Sequence, residues 1–228
     1  MGARGALEAV LFDAAGTLIE PREPVGEIYA RLARSHGVAL PPERLQDAFA
    51  RVLRSTAPSV EADPAREREW WRGIVRATFR AADGRARFRD FDAYFDALFE
   101  RFAAPDAWRV RPGGRPALAA LRARGLRLAV LSNFDQRLPG LLAGLGLAAE
   151  FEAVVIPAVA GAAKPDPRIF AFALRQLGVS AERAVYVGDD AEQDVRAARA
   201  AGLWAIDVGS LDSLAELPAR VDALAARA

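Results

Sequence analysis

Asp13 stands directly after the apolar run Ala-Val-Leu-Phe, and Gly16 and Thr17 follow within four positions. A short apolar run that glycine soon interrupts is typical of a buried strand that stops abruptly. A carboxylate at the carboxyl end of such a strand lies where open α/β sheets bind their ligands. It can attack an electrophile, hold a hard metal ion, or simply form the turn.

Polar residues occupy comparable places later in the chain, after two further apolar runs and before a predicted helix. They are Ser132, Asn133, Lys164, Asp189, Asp190 and Asp194. Lys164 is the single lysine among 31 basic residues, which by itself makes it a candidate site residue. If the apolar runs are parallel strands, all these residues meet at one edge of the sheet.

The chemistry of that set is specific. Carboxylates that converge at one edge repel each other unless a cation lies among them, and oxygen ligands without sulfur suit Mg²⁺. Lys164, Ser132 and the backbone amides of the loop after Asp13 are donors for an anion. A metal, a nucleophile and anion donors together are what phosphoryl transfer requires.

Composition excludes several other classes of protein. The formal net charge of +1 gives no support for binding to nucleic acid or to a membrane surface. The chain has no cysteine and one histidine, so thiolate chemistry and multi-histidine metal sites are excluded. No signal peptide and no apolar run near the roughly 20 residues of a membrane span are seen, which predicts a cytoplasmic protein.

The order of elements predicts an α/β protein of two parts. Strands alternate with helices in the second half, which indicates a Rossmann-like core built on a parallel sheet. Residues 26–104 are predicted to be helical throughout, in four helices, and 19–26 to be a linker. Residues 192–201 are predicted to form one helix that follows the Gly-Asp-Asp turn.

Four motifs resemble those of the haloacid dehalogenase superfamily: Asp13-Ala-Ala-Gly-Thr17, Ser132, Lys164, and Gly188-Asp189 with Asp194. The chain looks like a subfamily I member with a C1 helical cap. Segments such as EWWRGIV are similar to the branch of haloacid dehalogenase-like hydrolase domain-containing protein 3 and the rhythmically-expressed gene 2 product. The resemblance implies a catalytic core of residues 1–19 and 106–228, and a cap of residues 20–105 that encloses a small phosphorylated metabolite.

The resemblance also implies a role for each motif residue. Asp13 would be the nucleophile and form an aspartyl-phosphate, and Asp194 would orient Lys164 or a water at the metal. The implied Mg²⁺ ligands are Asp13, the carbonyl of Ala15, Asp189 and Asp190. The implied substrate contacts are Gly16, Thr17, Ser132, Asn133 and Lys164, and Thr17 is also expected to hydrogen-bond within the turn after Asp13.

Ala15 departs from the family pattern, because phosphatases of this family usually carry a second Asp at that position as general acid and base. Such a group typically contributes about 10²–10⁴-fold to the rate. The resemblance therefore implies a weakened Mg²⁺-dependent phosphatase, a monomer or homodimer. Two alternatives stay open: a binding or regulatory protein that keeps the pocket, and a metal-free 2-haloacid dehalogenase, against which Asp189 and Asp190 argue.

Overall fold

A computed structural model of the chain describes residues 6–226 and divides into two compact units. One unit consists of the residues up to Glu20 together with those from Val110 onward, and the other spans Pro21–Arg109. The first unit begins with strand β1 (Ala9–Phe12), whose four residues are all buried. A continuous apolar strand of this kind is typical of a parallel sheet that is covered on both faces.

Residues 21–109, all of which the structure describes, form a bundle of four α-helices. Strand β2 (Ile19–Pro21) leads into α1 (Val25–Ser35), α2 (Pro42–Ser55), α3 (Pro64–Ala82) and α4 (Phe91–Ala103). Apolar residues at helical spacing give each helix one buried face, and the side chains that share the bundle core include Tyr29, Leu45, Phe79, Tyr94 and Phe95. Asp63 and Asp90 accept hydrogen bonds from the amides of Ala65 and Ala93, and so define the beginnings of α3 and α4.

The chain then returns through strand β3 (Trp108–Val110), which pairs with β2. The remaining elements alternate between helix and strand. They are α5 (Gly114–Ala123), β4 (Arg127–Leu131), α6 (Leu138–Gly144), β5 (Ala153–Val155), α7 (Pro157–Ala160), α8 (Pro167–Leu177), β6 (Ala184–Gly188), a π-helical turn (Ala191–Arg196), α9 (Ala197–Ala200), β7 (Trp204–Asp207) and α10 (Leu217–Ala225).

Five strands form one parallel sheet in the order β5-β4-β1-β6-β7. Strand β1 lies in the centre, and its Phe12 is in register with Val130 of β4 and Val187 of β6. The carboxyl ends of β1, β4 and β6 therefore lie side by side at one edge. This confirms the predicted Rossmann-like parallel core with an inserted four-helix bundle.

Two local predictions differ from the structure, and two short elements were not predicted. Residues 19–21, predicted as part of a linker, form β2, because a three-residue strand that ends at Pro21 is too short to show an alternating pattern. The predicted helix 192–201 begins as a π-helical turn, so that α9 is only four residues long. Strand β3 has three residues and helix α7 has four, so both are too short to be predicted from the sequence pattern. None of the helices within residues 6–226 has the length and apolar character needed to cross a membrane.

Candidate active site

Lys164 lies at the centre of a buried ionic cluster at the carboxyl edge of the sheet. Its ammonium donates to Asp13 Oδ1 at 2.7 Å, to Asp194 Oδ1 at 2.6 Å and to the Tyr186 hydroxyl at 2.8 Å. Asp13, Lys164 and Asp194 are 6%, 3% and 1% exposed. An ammonium has three N–H donors, so all three are satisfied within the protein.

Asp194 connects this cluster to the turn that follows β6. Its Oδ2 accepts hydrogen bonds from the backbone amides of Asp189 and Asp190, each at 3.1 Å. The approach is so close that a Cβ atom on Gly188 would lie 2.4–2.5 Å from the Asp194 side chain. Glycine at 188 is therefore required by space, and the π-helical turn Ala191–Arg196 carries the Asp194 carboxylate back to the sheet edge.

The loop after β1 packs against Asp189. Gly16 has a φ of +92°, and a Cβ there would lie 2.6 Å from an Asp189 oxygen. Thr17 Oγ1 donates to Asp189 Oδ1 at 2.8 Å, so its side chain ties the loop to the residue after β6, while its backbone amide bonds within the turn after Asp13 as predicted. Arg111 Nη1 donates to the Gly16 carbonyl at 2.6 Å and holds the loop from its other side.

The amides of Gly16 and Thr17 are used inside this loop. Gly16 N donates to the Ile19 carbonyl at 2.9 Å, and Thr17 N donates to the Ala14 carbonyl at 3.3 Å. These two amides are thus occupied within the turn, and the predicted contacts of Gly16 and Thr17 with a substrate stay a prediction.

Asn133 contacts Lys164 through the backbone. Its Oδ1 accepts from Lys164 N at 2.8 Å, and its Nδ2 donates to the Lys164 carbonyl and to Gln193 Oε1, both at 2.9 Å. These bonds fix the segment that carries Lys164, which precedes Pro165 through a cis peptide bond. Ser132 is buried at the end of β4, where its amide donates to the Val155 carbonyl at 3.0 Å.

Asp190 has a structural contact of its own. Its Oδ1 accepts from the amides of Glu192 and Gln193, both at 2.8 Å, and so caps the π-helical turn. One of its two oxygens is thus committed to the backbone. Its predicted role as a Mg²⁺ ligand stays a prediction.

Three carboxylates at the edge have the spacing of a metal site. Asp13, Asp189 and Asp194 each offer an oxygen, and these oxygens lie within 4.8 Å of one another. No residue between 6 and 226 donates a hydrogen bond to the Ala15 carbonyl, which leaves that oxygen free as a further ligand. An all-oxygen donor set of this kind fits Mg²⁺.

The cluster shifts the pKa values of its members. Burial raises the pKa of Asp13 to about 6, although the charge of Lys164 opposes the shift. Burial alone would lower the pKa of Lys164, but the carboxylates of Asp13 and Asp194 raise it above its ordinary value. Partial burial raises the pKa of Asp189, and the hydrogen bond from Thr17 acts against that change.

Tyr186 and Gln193 belong to the site but were missed by sequence reasoning. Tyr186 occupies a core position in the strand Ala-Val-Tyr-Val-Gly, and the available signal was its hydroxyl, which needs a partner when buried. Gln193 lies one residue before Asp194 and gave no signal of its own.

Comparison with known proteins agrees with this arrangement. A family model described as haloacid dehalogenase-like hydrolase matches residues 7–202. The chain is 36% identical to haloacid dehalogenase-like hydrolase domain-containing protein 3 of Mus musculus, over 94% of this chain and 86% of that protein. It is 46% identical to a phosphoserine phosphatase of Thermus thermophilus over 42% of this chain and 39% of that one.

Among solved structures, a HAD phosphatase from Thermococcus onnurineus superposes with a TM-score of 0.65 at 25% identity, and the match covers 94% of this chain and 98% of that chain. The family model covers most of the sequence, and the mouse relative is matched over 86% of its own length. The chain therefore belongs to the haloacid dehalogenase-like hydrolase family.

Proposed function

We propose that the protein hydrolyses a small phosphate monoester through an aspartyl-phosphate on Asp13, with Mg²⁺ as cofactor. The observation that carries the proposal is the buried Asp13 carboxylate, 2.7 Å from the Lys164 ammonium and within 4.8 Å of oxygens on Asp189 and Asp194. A nucleophile, a cation and oxygen ligands for a metal meet at one sheet edge.

In the proposed first step, an oxygen of Asp13 bonds to phosphorus as the bond from phosphorus to the leaving oxygen breaks. The leaving oxygen takes a proton from solvent. A water molecule then attacks phosphorus and gives up a proton to solvent as the bond between Asp13 and phosphorus breaks, which releases inorganic phosphate and restores the Asp13 carboxylate. With a pKa of about 6, Asp13 is mainly a carboxylate at neutral pH and can attack. Mg²⁺, when bound by Asp13, Asp189 and the Ala15 carbonyl, would neutralise charge on the phosphoryl group.

Lys164 has two tasks in this proposal. Its charge opposes the effect of burial and keeps Asp13 ionised. Its three donors are already used, so a phosphoryl oxygen that binds Lys164 has to share or replace one of the existing contacts. Asp194 accepts a hydrogen bond from the Lys164 side chain, and Asn133 forms hydrogen bonds with the Lys164 backbone. Ser132, at the end of β4, is proposed to bind the phosphoryl group.

Similarity supports the class of substrate. The Thermus thermophilus relative, matched over a part of each chain, is a phosphoserine phosphatase, which acts on a small phosphate monoester. The role of the helical insertion as a cap over the substrate stays a prediction from the family resemblance. So do the cytoplasmic location, the monomeric or homodimeric state and the lack of nucleic-acid partners.

The test is hydrolysis of p-nitrophenyl phosphate with Mg²⁺ and with EDTA. Its leaving group needs little protonation, so Ala15 costs least with this substrate. We expect turnover that requires Mg²⁺ and disappears in Asp13→Asn. The matched control is Asp222→Asn, an exposed carboxylate paired with Arg124, which should keep full turnover. Metal-dependent turnover that survives in Asp13→Asn would overturn the mechanism.

Ala15 favours one second candidate, a binding or regulatory protein. Because the usual acid and base is missing at this position, the site could retain Mg²⁺ and a phosphorylated ligand without turnover. Titration calorimetry with Mg²⁺ and inorganic phosphate separates the two functions. Binding of both without hydrolysis of p-nitrophenyl phosphate would favour the binding protein.

A further inference from the structure

Tyr186 is a polar residue inside the core of the sheet. It lies on strand β6, next to the central strand, is completely buried, and its ring packs edge-on against Phe170 with centroids 5.4 Å apart. A phenylalanine would fill that place equally well if packing were the only requirement. The hydroxyl is therefore the part of the side chain that needs an explanation.

The hydroxyl lies between Lys164 and the end of a second strand. It accepts from Lys164 Nζ at 2.8 Å and lies 2.8 Å from the Leu131 carbonyl of β4, with Asp194 Oδ1 at 3.1 Å. A hydroxyl has one proton to donate, and the shorter contact directs it to Leu131. The residue after Leu131 is Ser132, so this bond connects Lys164 to the strand end that carries the proposed phosphate contact.

The geometry of the ammonium makes this third contact decisive. Asp13 and Asp194 satisfy two of its three donors, and the tetrahedral nitrogen can still rotate about its bond to the side chain to exchange them. A third acceptor, which itself donates to the Leu131 carbonyl of β4, raises the barrier to that rotation and restrains the position of Nζ. Loss of the hydroxyl would leave one buried N–H without a partner.

We infer that Tyr186 is a positioning residue for Lys164, and that its hydroxyl sets the direction of the ammonium at the site. Only the consequence for turnover rests on the proposed function. The positioning of Lys164 concerns contacts between residues of this chain, so it can be tested without any substrate.

The chain's single lysine makes the measurement direct. Growth with lysine labelled with ¹⁵N at Nζ gives one side-chain ammonium signal, which belongs to Lys164. In Tyr186→Phe we expect the ammonium protons to exchange with water about tenfold faster or more, because a hydrogen bond to a charged group is lost. We also expect the ¹⁵Nζ resonance to move.

The matched control is Tyr94→Phe. Tyr94 is also fully buried, but it lies in the helical bundle, and its hydroxyl has no hydrogen-bond partner among the described residues. Its removal should change neither the exchange rate nor the ¹⁵Nζ frequency. Unchanged Lys164 signals in Tyr186→Phe, or equal changes in both variants, would overturn the inference.

Turnover tests the consequence. With p-nitrophenyl phosphate and Mg²⁺, Tyr186→Phe should lower kcat about tenfold while KM changes much less, because a misdirected cation harms the transition state most. An unchanged kcat would overturn the role in the reaction. If the wild-type protein shows no turnover, the proposed function fails. The Lys164 ammonium signals then test by themselves whether Tyr186 positions Lys164.

The wild-type protein provides a second test of the contact between Lys164 and Tyr186, in case Tyr186→Phe does not fold. The Lys164 ammonium lies 5.4 Å from the centre of the Tyr186 ring and within hydrogen-bond distance of its hydroxyl. A nuclear Overhauser contact between the ammonium protons and the Tyr186 hydroxyl or ring is therefore expected. A resolved ammonium signal without that contact would contradict the inference.

Discussion

Replacing Lys164 by methionine tests the electrostatics of the whole cluster. The substitution keeps a long apolar stem and removes the ammonium, so the carboxylates of Asp13 and Asp194 lose the cation that lies 2.7 Å and 2.6 Å from them. Breaking a buried ion pair by removal of one partner typically costs about 3–5 kcal/mol. We expect a loss of that size in the free energy of unfolding at pH 8 in EDTA, measured by urea denaturation.

The pH dependence of this loss has a definite sign. Burial already raises the pKa of Asp13 to about 6, and without Lys164 the opposing effect is gone, so the pKa rises further. The folded variant then binds more protons than the unfolded chain, whose Asp pKa is about 3.9, so its stability rises as the pH falls. The deficit relative to wild type should therefore shrink between pH 8 and pH 5.

The control is Arg168→Met. The Arg168 side chain is 74% exposed and pairs with Asp166, so its loss should cost less than about 1 kcal/mol. Addition of Mg²⁺ should recover part of the stability of Lys164→Met, because a cation again lies among the carboxylates. Equal stability of Lys164→Met and wild type at pH 8 in EDTA would refute the reasoning, as would a deficit that grows on acidification.

Three further substitutions test other parts of the structure. Ala15→Asp should raise turnover of a sugar phosphate by about tenfold or more relative to p-nitrophenyl phosphate, since it supplies the missing acid and base; an unchanged ratio of the two kcat values would place the proton path elsewhere. Gly188→Ala should displace Asp194 and cost about 1–3 kcal/mol in urea denaturation, and a neutral effect would show that the carboxylate can move aside. Tyr94→Phe should leave stability unchanged or raise it by about 1 kcal/mol, because it removes a buried hydroxyl without a partner; a loss measured in the same assay would reveal a partner.

The sequence was informative where a residue's type conflicts with its surroundings. Asp13 follows four apolar residues, and Lys164 is the only lysine in a chain whose other basic side chains are nearly all arginine, so both stand out by residue type alone. The parallel strands follow from apolar runs that alternate with helices. Their common edge then brings Asp13, Lys164, Asp189 and Asp194 together.

The remainder could not be predicted because it depends on contacts across the fold. Thr17 reaches Asp189, 172 positions away, and nothing in the local pattern distinguishes that bond from one within its own turn. Tyr186 has the same place in the apolar pattern as any core aromatic residue. Its proposed role in positioning Lys164 depends on a contact between residues that are 22 positions apart in the sequence. The π-helical turn that positions Asp194 has the composition of an ordinary helix start.

The net charge of the cluster explains why a divalent cation fits it. When Asp13, Asp189 and Asp194 are ionised, their three negative charges exceed the single positive charge of Lys164 by two. Asp189→Asn removes a proposed ligand and one of those charges, so the Mg²⁺ affinity should fall about tenfold or more in titration calorimetry. Asp190→Asn is the informative partner, because asparagine caps a helix as well as aspartate does and so keeps the bonds to Glu192 and Gln193. If Asp190 is a ligand, as the family resemblance implies, the Mg²⁺ affinity of Asp190→Asn should also fall about tenfold or more. A change of less than about threefold, which screened charge alone explains, would exclude Asp190 as a ligand.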